Sequence, residues 1–173
     1  MKKQFIIFLI LCSVFTLYAE KKAFTLEDLY RIKNVTDPQI SPDGKQVAFV
    51  VTEYFLAEGK SNAEIYLMDI NGSNLRRMTR NEAEDTHPRW SPDGKQIMFV
   101  STRSGSSQAW SIPVNGGEPK QLTDISTDVA TPVWSPDGNK IAFATEVFPQ
   151  CGADDQCNQK INDSMKEGPL QAH

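Results

Sequence analysis

Few residues of the sequence have the types and spacing that catalysis needs. The 173-residue chain has two histidines, His87 and the last residue, His173. The Gly-x-Ser-x-Gly motif, which presents a serine nucleophile on a sharp strand-to-helix turn, does not occur. A Ser-His-Asp triad therefore has no support from spacing. We expect no catalytic residue, no cofactor-binding residue and no metal ligand in this chain.

Three weaker features could bind a ligand, and each has a simpler structural explanation. Residues 69–74, Asp-Ile-Asn-Gly-Ser-Asn, resemble the start of a calcium loop but lack its closing glutamate, so a hairpin turn is favoured. Three carboxylates could bind a cation or an amine, although a solvated acidic loop is the default: Glu82, Glu84 and Asp85. Two tryptophans could stack on a ligand, although packing between repeats is favoured: Trp90 and Trp134.

The N-terminal segment has the pattern of a secretory signal peptide. Lys2 and Lys3 precede an almost wholly apolar run, residues 5–17, and the small residue Ala19 precedes a charged segment. The run is shorter than the ~20 apolar residues of a membrane-spanning helix. The bulky leucine before Cys12 argues against lipid attachment there. The sequence predicts cleavage near Ala19 and export to the periplasm or the exterior.

The charge of the chain excludes two classes of partner. Removal of residues 1–19 takes away two lysines and changes the formal charge from −4 to −6. An acidic chain without a basic cluster lacks the electrostatic features of nucleic-acid-binding proteins. It is also not attracted to an anionic membrane surface. We therefore expect no nucleic acid and, after signal cleavage, no membrane as a partner.

Two cysteines, Cys151 and Cys157, remain after signal cleavage. They lie in a polar segment, and an even pair in an oxidising compartment favours a disulfide. A tetrahedral zinc site would need a third and a fourth ligand nearby. The sequence predicts a Cys151–Cys157 bridge, with two free thiols as the alternative.

An internal repeat dominates the sequence. Copies of Pro-x-x-Ser-Pro-Asp-Gly begin at Pro38, Pro88 and Pro132, and each is followed by an apolar run. A second repeated block aligns residues 64–72 with residues 108–116. The offset is 44 residues between the later copies and 50 between the earlier ones. The extra six residues fall between positions 54 and 62.

Each repeat contains the signals of four short strands. Proline, aspartate and glycine at successive positions favour a tight reversal, so Ser-Pro-Asp-Gly predicts a turn between two strands. In the second repeat, strands are expected near Trp90 and at 97–101, 109–114 and 120–123. Four strands in 44 residues are typical of a β-propeller blade. Proline and glycine in every unit argue against a helical solenoid.

The repeats predict an all-β fold, a partial β-propeller of four-stranded blades with two complete and a third begun. The predicted segments are a signal peptide at 1–19, a lead-in at 20–37, blades at 38–145 and a polar insertion with the cysteine pair at 146–173. The one helix expected, residues 26–32, lies in the lead-in with Thr25 as its cap. Propellers need ~4–8 blades to close, so we expect a truncated chain; a self-contained protein that closes by oligomerising is the alternative.

The lead-in and the repeats resemble the prolyl oligopeptidase family, in its branch of exported bacterial dipeptidyl peptidases and acylaminoacyl peptidases. The similar segments are residues 24–30 and 35–44, and residues 146–149 with the cysteine loop, which look like an insertion in an early blade. The resemblance implies a propeller that restricts access of short peptides to an α/β-hydrolase domain following it in the chain. The serine, aspartate and histidine of that domain have no counterparts here, which leaves the activity of the chain itself uncertain.

A propeller from a different functional class resembles the same repeats. The periplasmic propeller of the Tol envelope system is a non-enzymatic scaffold that binds protein partners, and residues 67–69 and 76–79 suit it. In that protein a sizeable α/β domain precedes the propeller. Here only residues 20–37 separate the predicted signal from the first repeat, which favours the peptidase family.

Overall fold

The computed structural model describes residues 23–166. The predicted signal peptide, with Cys12, and His173 lie outside these residues. In chain order the elements are α1 (Leu26–Tyr30), β1 (Asn34–Ile40), β2 (Gln46–Phe55), a 3-10 turn (Leu56–Glu58), β3 (Lys60–Asp69), β4 (Arg76–Arg77), β5 (Asp85–Trp90), β6 (Gln96–Ser101), β7 (Gln108–Pro113), β8 (Lys120–Gln121), β9 (Val129–Trp134), β10 (Ile141–Thr145) and α2 (Asp155–Lys166).

The strands form three antiparallel sheets that follow the sequence repeats. The first sheet has the order β1-β2-β3-β4, the second has β5-β6-β7-β8, and β9 pairs with β10 in the third. We call these sheets blades 1, 2 and 3. The prediction of a partial β-propeller, with two four-stranded blades and a third begun, is confirmed. Among the described residues, no helix is long and apolar enough to cross a membrane.

Helix α1 begins where the sequence predicts. The Thr25 hydroxyl accepts a hydrogen bond from the Asp28 backbone N–H, and the Asp28 carboxylate accepts one from the Thr25 backbone N–H. This reciprocal capping box satisfies two N–H groups at the start of the helix. The helix ends at Tyr30, two residues earlier than predicted, because the chain then extends into β1.

The Ser-Pro-Asp-Gly segments join the first two strands of each blade. In blade 1 the Ser41 hydroxyl donates to Asp43 at 2.7 Å and accepts from the Gln46 backbone N–H at 2.9 Å. The Asp43 carboxylate also accepts from the Lys45 backbone N–H, and Gly44 adopts a φ of 73°. Glycine adopts this left-handed conformation without the strain that a Cβ adds. The same bonds recur in blades 2 and 3.

Blade 1 has the longest hairpin. Strands β2 and β3 pair over ten positions, whereas β6 and β7 pair over six. The four additional pairs run from Thr52 with Ala63 to Phe55 with Lys60. The six-residue insertion therefore lies where the repeat alignment predicts it, and it lengthens the hairpin.

The hydrophobic core lies between the blades. One cluster joins blade 1 to blade 2: Ala48, Val50, Ala63, Ile65, Leu67, Ile97, Phe99, Ile112 and Val114. A second joins blade 2 to blade 3, with Met98, Ala109 and Val129 at its centre. Blade 2 is buried on both faces because it lies between two neighbours, as expected for a blade inside a propeller.

A buried threonine connects the third strand to the chain beyond the fourth strand in blade 1. The Thr79 hydroxyl accepts a hydrogen bond from the Ile65 backbone N–H at 3.0 Å and donates to the Glu64 carboxylate. Arg77 also donates to Glu64, so the buried carboxylate is charge-paired. A buried charge is tolerated only when it is paired in this way.

Blade 2 repeats this arrangement without the charges. Thr123 accepts from the Ala109 backbone N–H at 2.9 Å and donates to Gln108 Oε1 at 2.8 Å. Gln108 and Gln121 occupy the repeat positions of the glutamate and arginine in blade 1. Both members of the ion pair are thus replaced by neutral glutamines.

The interpretation of Glu82, Glu84 and Asp85 as a solvated acidic loop is wrong for Asp85. Its side chain is fully buried, and its Oδ2 lies 2.6 Å from Arg103 Nη2. Arg103 also donates to Ser101 Oγ at 2.9 Å, and its guanidinium lies over the rings of Phe99 and Trp110, 5.2 and 5.0 Å from their centres. Asp85 is buried because this arginine, 18 residues along the chain, neutralises it.

We expect Arg103→Leu to lower the free energy of unfolding by about 3–5 kcal/mol, because it leaves the Asp85 carboxylate buried without a counter-charge. Urea unfolding followed by circular dichroism measures the change. The double variant Asp85→Asn/Arg103→Leu should recover part of the loss. Arg31→Leu, at a side chain that is 79% exposed, is the matched control; a loss no larger than that of this control would contradict the prediction.

Hydrogen bonds from the serine hydroxyl, and then from the backbone N–H two residues on, lower the pKa of Asp43, Asp93 and Asp137. A carboxyl with a lower pKa in the folded state stabilises the fold above about pH 4, and this contribution is lost as the pH falls through the folded-state pKa. We therefore expect the urea midpoint to fall in acid, and to fall less steeply in Asp93→Asn. The control is Asp124→Asn, at an exposed position. If the urea midpoint falls equally steeply with decreasing pH in Asp93→Asn and in Asp124→Asn, the prediction is contradicted.

Candidate functional site

The first strands of the three blades lie side by side and form a groove. Strand β1 contacts β5, and β5 contacts β9. The groove has a volume of about 440 Å³ and is lined by polar side chains with one valine: Thr36, Asp37, Val50, Thr52, Thr86, His87, Arg89 and Thr131. We call it the inner-strand groove. Its size is within the range of small-ligand sites.

Three lining residues occupy the same repeat position, directly before the proline. Asp37, His87 and Thr131 have positive φ values of 47°, 54° and 44°. The pairing between the first and second strands is irregular at this position in each blade. Such a bulge redirects side chains out of the regular alternation of a strand. The sequence analysis placed His87 in a loop between blades, and this prediction is wrong. His87 lies within β5, where it lines the groove.

An ion pair connects blades 1 and 2 at the groove. Arg89 Nη1 donates to both carboxylate oxygens of Asp37, at 2.9 and 3.1 Å, and to the Pro88 carbonyl at 2.7 Å. Gln39 also donates to Asp37, at 2.6 Å. Sequence reasoning missed Asp37 and Arg89. The sequence contains a signal that could have identified Arg89. The position directly after the first proline of the repeat varies between copies, and it is occupied by Gln39, Arg89 and Val133.

The two repeat tryptophans connect neighbouring blades. Trp90 Nε1 donates to the Gln39 carbonyl at 2.9 Å, and Trp134 Nε1 donates to the Arg89 carbonyl at 3.3 Å. Each indole therefore bonds to the first strand of the preceding blade. This is the packing between repeats that the sequence predicts, and it places neither ring as a stacking surface in the groove.

The segment after β10 contains a helix that the sequence analysis did not predict. Cys151 and Cys157 form the predicted disulfide, with their Cα atoms 5.4 Å apart. Cys157 lies in the first turn of α2. The buried Asn158 accepts from the Phe148 backbone N–H and donates to the Gly152 and Asp154 carbonyls, all at 2.9 Å. These bonds and the disulfide hold the loop against the helix.

Helix α2 is attached to the connection between blades 2 and 3. Asp155 Oδ1 accepts from the Ser126 backbone N–H at 2.8 Å and from its hydroxyl at 2.7 Å. Asn162, two turns along the helix, donates to the Ser126 carbonyl at 2.8 Å. The Ser126 hydrogen bonds, led by that of its backbone N–H, lower the pKa of Asp155. A second cavity, of about 790 Å³, lies between α2 and the two blades.

Of the remaining sequence candidates, Asp69 and Glu84 have structural partners, whereas Glu82 is exposed. Asp69 accepts hydrogen bonds from Asn74 and Ser73 within the predicted hairpin turn and from Gln46 of β2. These bonds, led by those of Asn74 and Gln46, lower the pKa of Asp69. Glu84 accepts from Ser61 at 3.1 Å. Within residues 23–166 no three His, Cys, Asp or Glu side chains are placed to hold a metal ion.

A comparison with models of protein families matches residues 28–163 to the TolB beta propeller domain. The chain belongs to this family. A comparison with curated protein sequences found no match.

Solved structures similar to this TolB-type propeller come from two kinds of protein. A protein described as TolB, from Agrobacterium tumefaciens, is 31% identical with a TM-score of 0.53; the match covers 64% of this chain and 39% of that protein. The acylaminoacyl peptidase of Pyrococcus horikoshii is 22% identical with a TM-score of 0.55, covering 66% of this chain and 17% of the peptidase. The β-propeller domain of the Trilobed protease from Pyrococcus furiosus is 23% identical with a TM-score of 0.52, covering 66% and 34%.

The chain corresponds to only part of each of these proteins. The chain spans about two fifths or less of the length of each of these proteins. The likeness to the two peptidases, below 25% identity, shows a common fold. A protein described as TolB and two proteins described as peptidases or proteases are thus all structural neighbours of this TolB-type propeller.

We expect Asn158→Ala to release α2 from its loop, because three hydrogen bonds around a buried amide are lost. Each unsatisfied buried group costs about 1–3 kcal/mol. Hydrogen–deuterium exchange of residues 155–166 should become faster, while the blade strands keep their protection. Gln159→Ala, at an exposed position of the same helix, should leave the exchange unchanged; equal rates in the two variants would disprove the role of Asn158.

Proposed function

We propose that this chain is the N-terminal propeller portion of an exported serine exopeptidase of the dipeptidyl or acylaminoacyl peptidase type. In this proposal residues 1–19 direct export to the periplasm or the exterior. The propeller gates the access of short peptides to an α/β-hydrolase domain that follows in the same polypeptide. The catalytic residues belong to that domain, so this chain contributes selection of the substrate.

The lead-in to the first blade carries the proposal. Residues 24–30 and 35–44 resemble the segment that leads into the first blade of the peptidases, and they include helix α1 and the start of strand β1 at Asn34. The cysteine loop with α2, inserted after the second strand of blade 3, also agrees with the peptidase family.

The burial of blade 3 supports the presence of further polypeptide against it. Phe99 is fully buried in blade 2, whereas Phe143, at the same repeat position in blade 3, is 37% exposed. Val133 in the same blade is 50% exposed. Apolar side chains at repeat positions are covered when the strands and blades beside them are complete.

A non-enzymatic envelope scaffold of the Tol type is the second candidate function. The observation that favours it is the 31% identity to the Agrobacterium protein described as TolB. In that case the propeller would bind protein partners, and its inner-strand groove would be part of a binding surface. The fold is compatible with both functions because propeller repeats specify a scaffold, and function depends on loops and partner domains.

The size and reactivity of the native product test the proposal. An antiserum raised against residues 20–173 is used to isolate the product from the exported fraction of the source cells. We expect a band several times larger than this chain that reacts with a fluorophosphonate, a probe of serine nucleophiles, and releases p-nitroaniline from dipeptidyl p-nitroanilides. A product that does not react with the probe and co-purifies with envelope proteins would contradict the peptidase and support the scaffold.

A further inference from the structure

We propose that the inner-strand groove is a binding site for a carboxylate group, with the Arg89 guanidinium as its main donor and His87 as a second donor. The inference rests on the proposed function only in that a peptide is the expected carrier of the carboxylate. The site itself is argued from the side chains that line the groove.

Arg89 has donors left for a ligand. All three of its hydrogen bonds are made by Nη1, to Asp37 and to the Pro88 carbonyl. Its Nε and Nη2 groups have no hydrogen-bond partner among residues 23–166, and the side chain is 27% exposed. The Nε and Nη2 hydrogens of a guanidinium form a fork that matches the two oxygens of a carboxylate.

Asp37 positions this guanidinium and also limits the strength of the site. Its two oxygens hold Nη1, so the arginine is fixed before a ligand arrives. A fixed donor loses little side-chain entropy on binding. The Asp37 charge, however, opposes a second carboxylate at the same arginine. We therefore expect weak binding in the native protein and tighter binding when that charge is removed.

Two further groups of the groove complete a polar environment. His87 is exposed, and its Nδ1 lies 3.1 Å from the Thr86 hydroxyl. When that hydroxyl donates to Nδ1, the imidazole N–H is on Nε2, which has no hydrogen-bond partner among residues 23–166. Thr131 lines the same groove at the equivalent position of blade 3. An imidazole N–H and a hydroxyl both donate to carboxylate oxygens. Both side chains are exposed rather than packed in the core, so they remain accessible to a ligand.

Nuclear magnetic resonance of the full chain tests the site directly. The probe is succinate, and the matched control ligand is the neutral diamide succinamide. We expect succinate to shift the Arg89 Nε–H resonance in a saturable manner, with a dissociation constant on the order of 1 mM. The Arg103 Nε–H, which is bonded to Ser101 inside the core, should not shift. Equal shifts with succinamide, or none with either ligand, would overturn the proposal.

Variants separate binding from effects on folding. Asp37→Asn keeps the shape of the side chain and tolerates the positive φ, and it should tighten succinate binding about fivefold by removing a nearby like charge. Arg89→Gln should abolish binding, and His87→Asn should weaken it. Arg80→Gln, which removes an exposed positive charge outside the groove, is the control. Unchanged affinity in Asp37→Asn would overturn the proposal even if Arg89→Gln fails to fold.

A peptide pair distinguishes this inference from the proposed function. Acetyl-Ala-Asp-Ala-amide and acetyl-Ala-Asn-Ala-amide differ only in the carboxylate. Tighter binding of the aspartyl peptide would support both the site and a peptide as its carrier. Binding of succinate without binding of either peptide would support the carboxylate site and contradict peptide gating through this groove.

Discussion

The packing of one blade face against the next is the constraint on which the rest of this structure depends. Phe99, Ile65 and Leu67 are removed from water only because blades 1 and 2 lie face to face. Burial of a large apolar side chain contributes about 1.5–3 kcal/mol, and no single four-stranded sheet could bury both of its faces alone. Hydrogen bonds of the tryptophan indoles fix the relative position of neighbouring blades, since each indole donates to a backbone carbonyl in the first strand of the preceding blade. The blades therefore meet in one arrangement, and that arrangement brings their first strands together.

The inner-strand groove is a consequence of this repetition. The Ser-Pro-Asp-Gly turn fixes the start of the second strand in every blade, and the irregular position before the first proline of the repeat recurs with it. The same backbone thus presents Asp37, His87 and Thr131 toward one groove. Different residues therefore serve structure and binding. The turn residues, which are the same in every blade, maintain the fold, and the residues that vary between blades determine the chemistry of the groove.

Charges inside the molecule follow one rule. Asp85 is fully buried beside Arg103, and the buried Glu64 is paired with Arg77. At the repeat positions of the second pair, blade 2 has two glutamines. The exchange removes both charges together, which avoids leaving one of them unpaired. The blade of this TolB-type propeller is thus compatible with either form of the contact, charged in blade 1 and neutral in blade 2.

The sequence by itself determined the features that depend on neighbouring residues. The strands of blade 2 lie within a few residues of their predicted positions, and α1 begins at its predicted cap, because turns and caps are encoded over three to five consecutive residues. Helix α2 was not predicted, since its sequence is polar on average, and its few apolar residues at helical spacing (Cys157, Ile161 and Met165) were overlooked. Its position also depends on Ser126, 29 residues before Asp155. Only the tertiary structure brought Asp37 to Arg89, across 52 residues, and paired Asp85 with Arg103. Such partners are decided by how blades pack, and no local pattern records that choice.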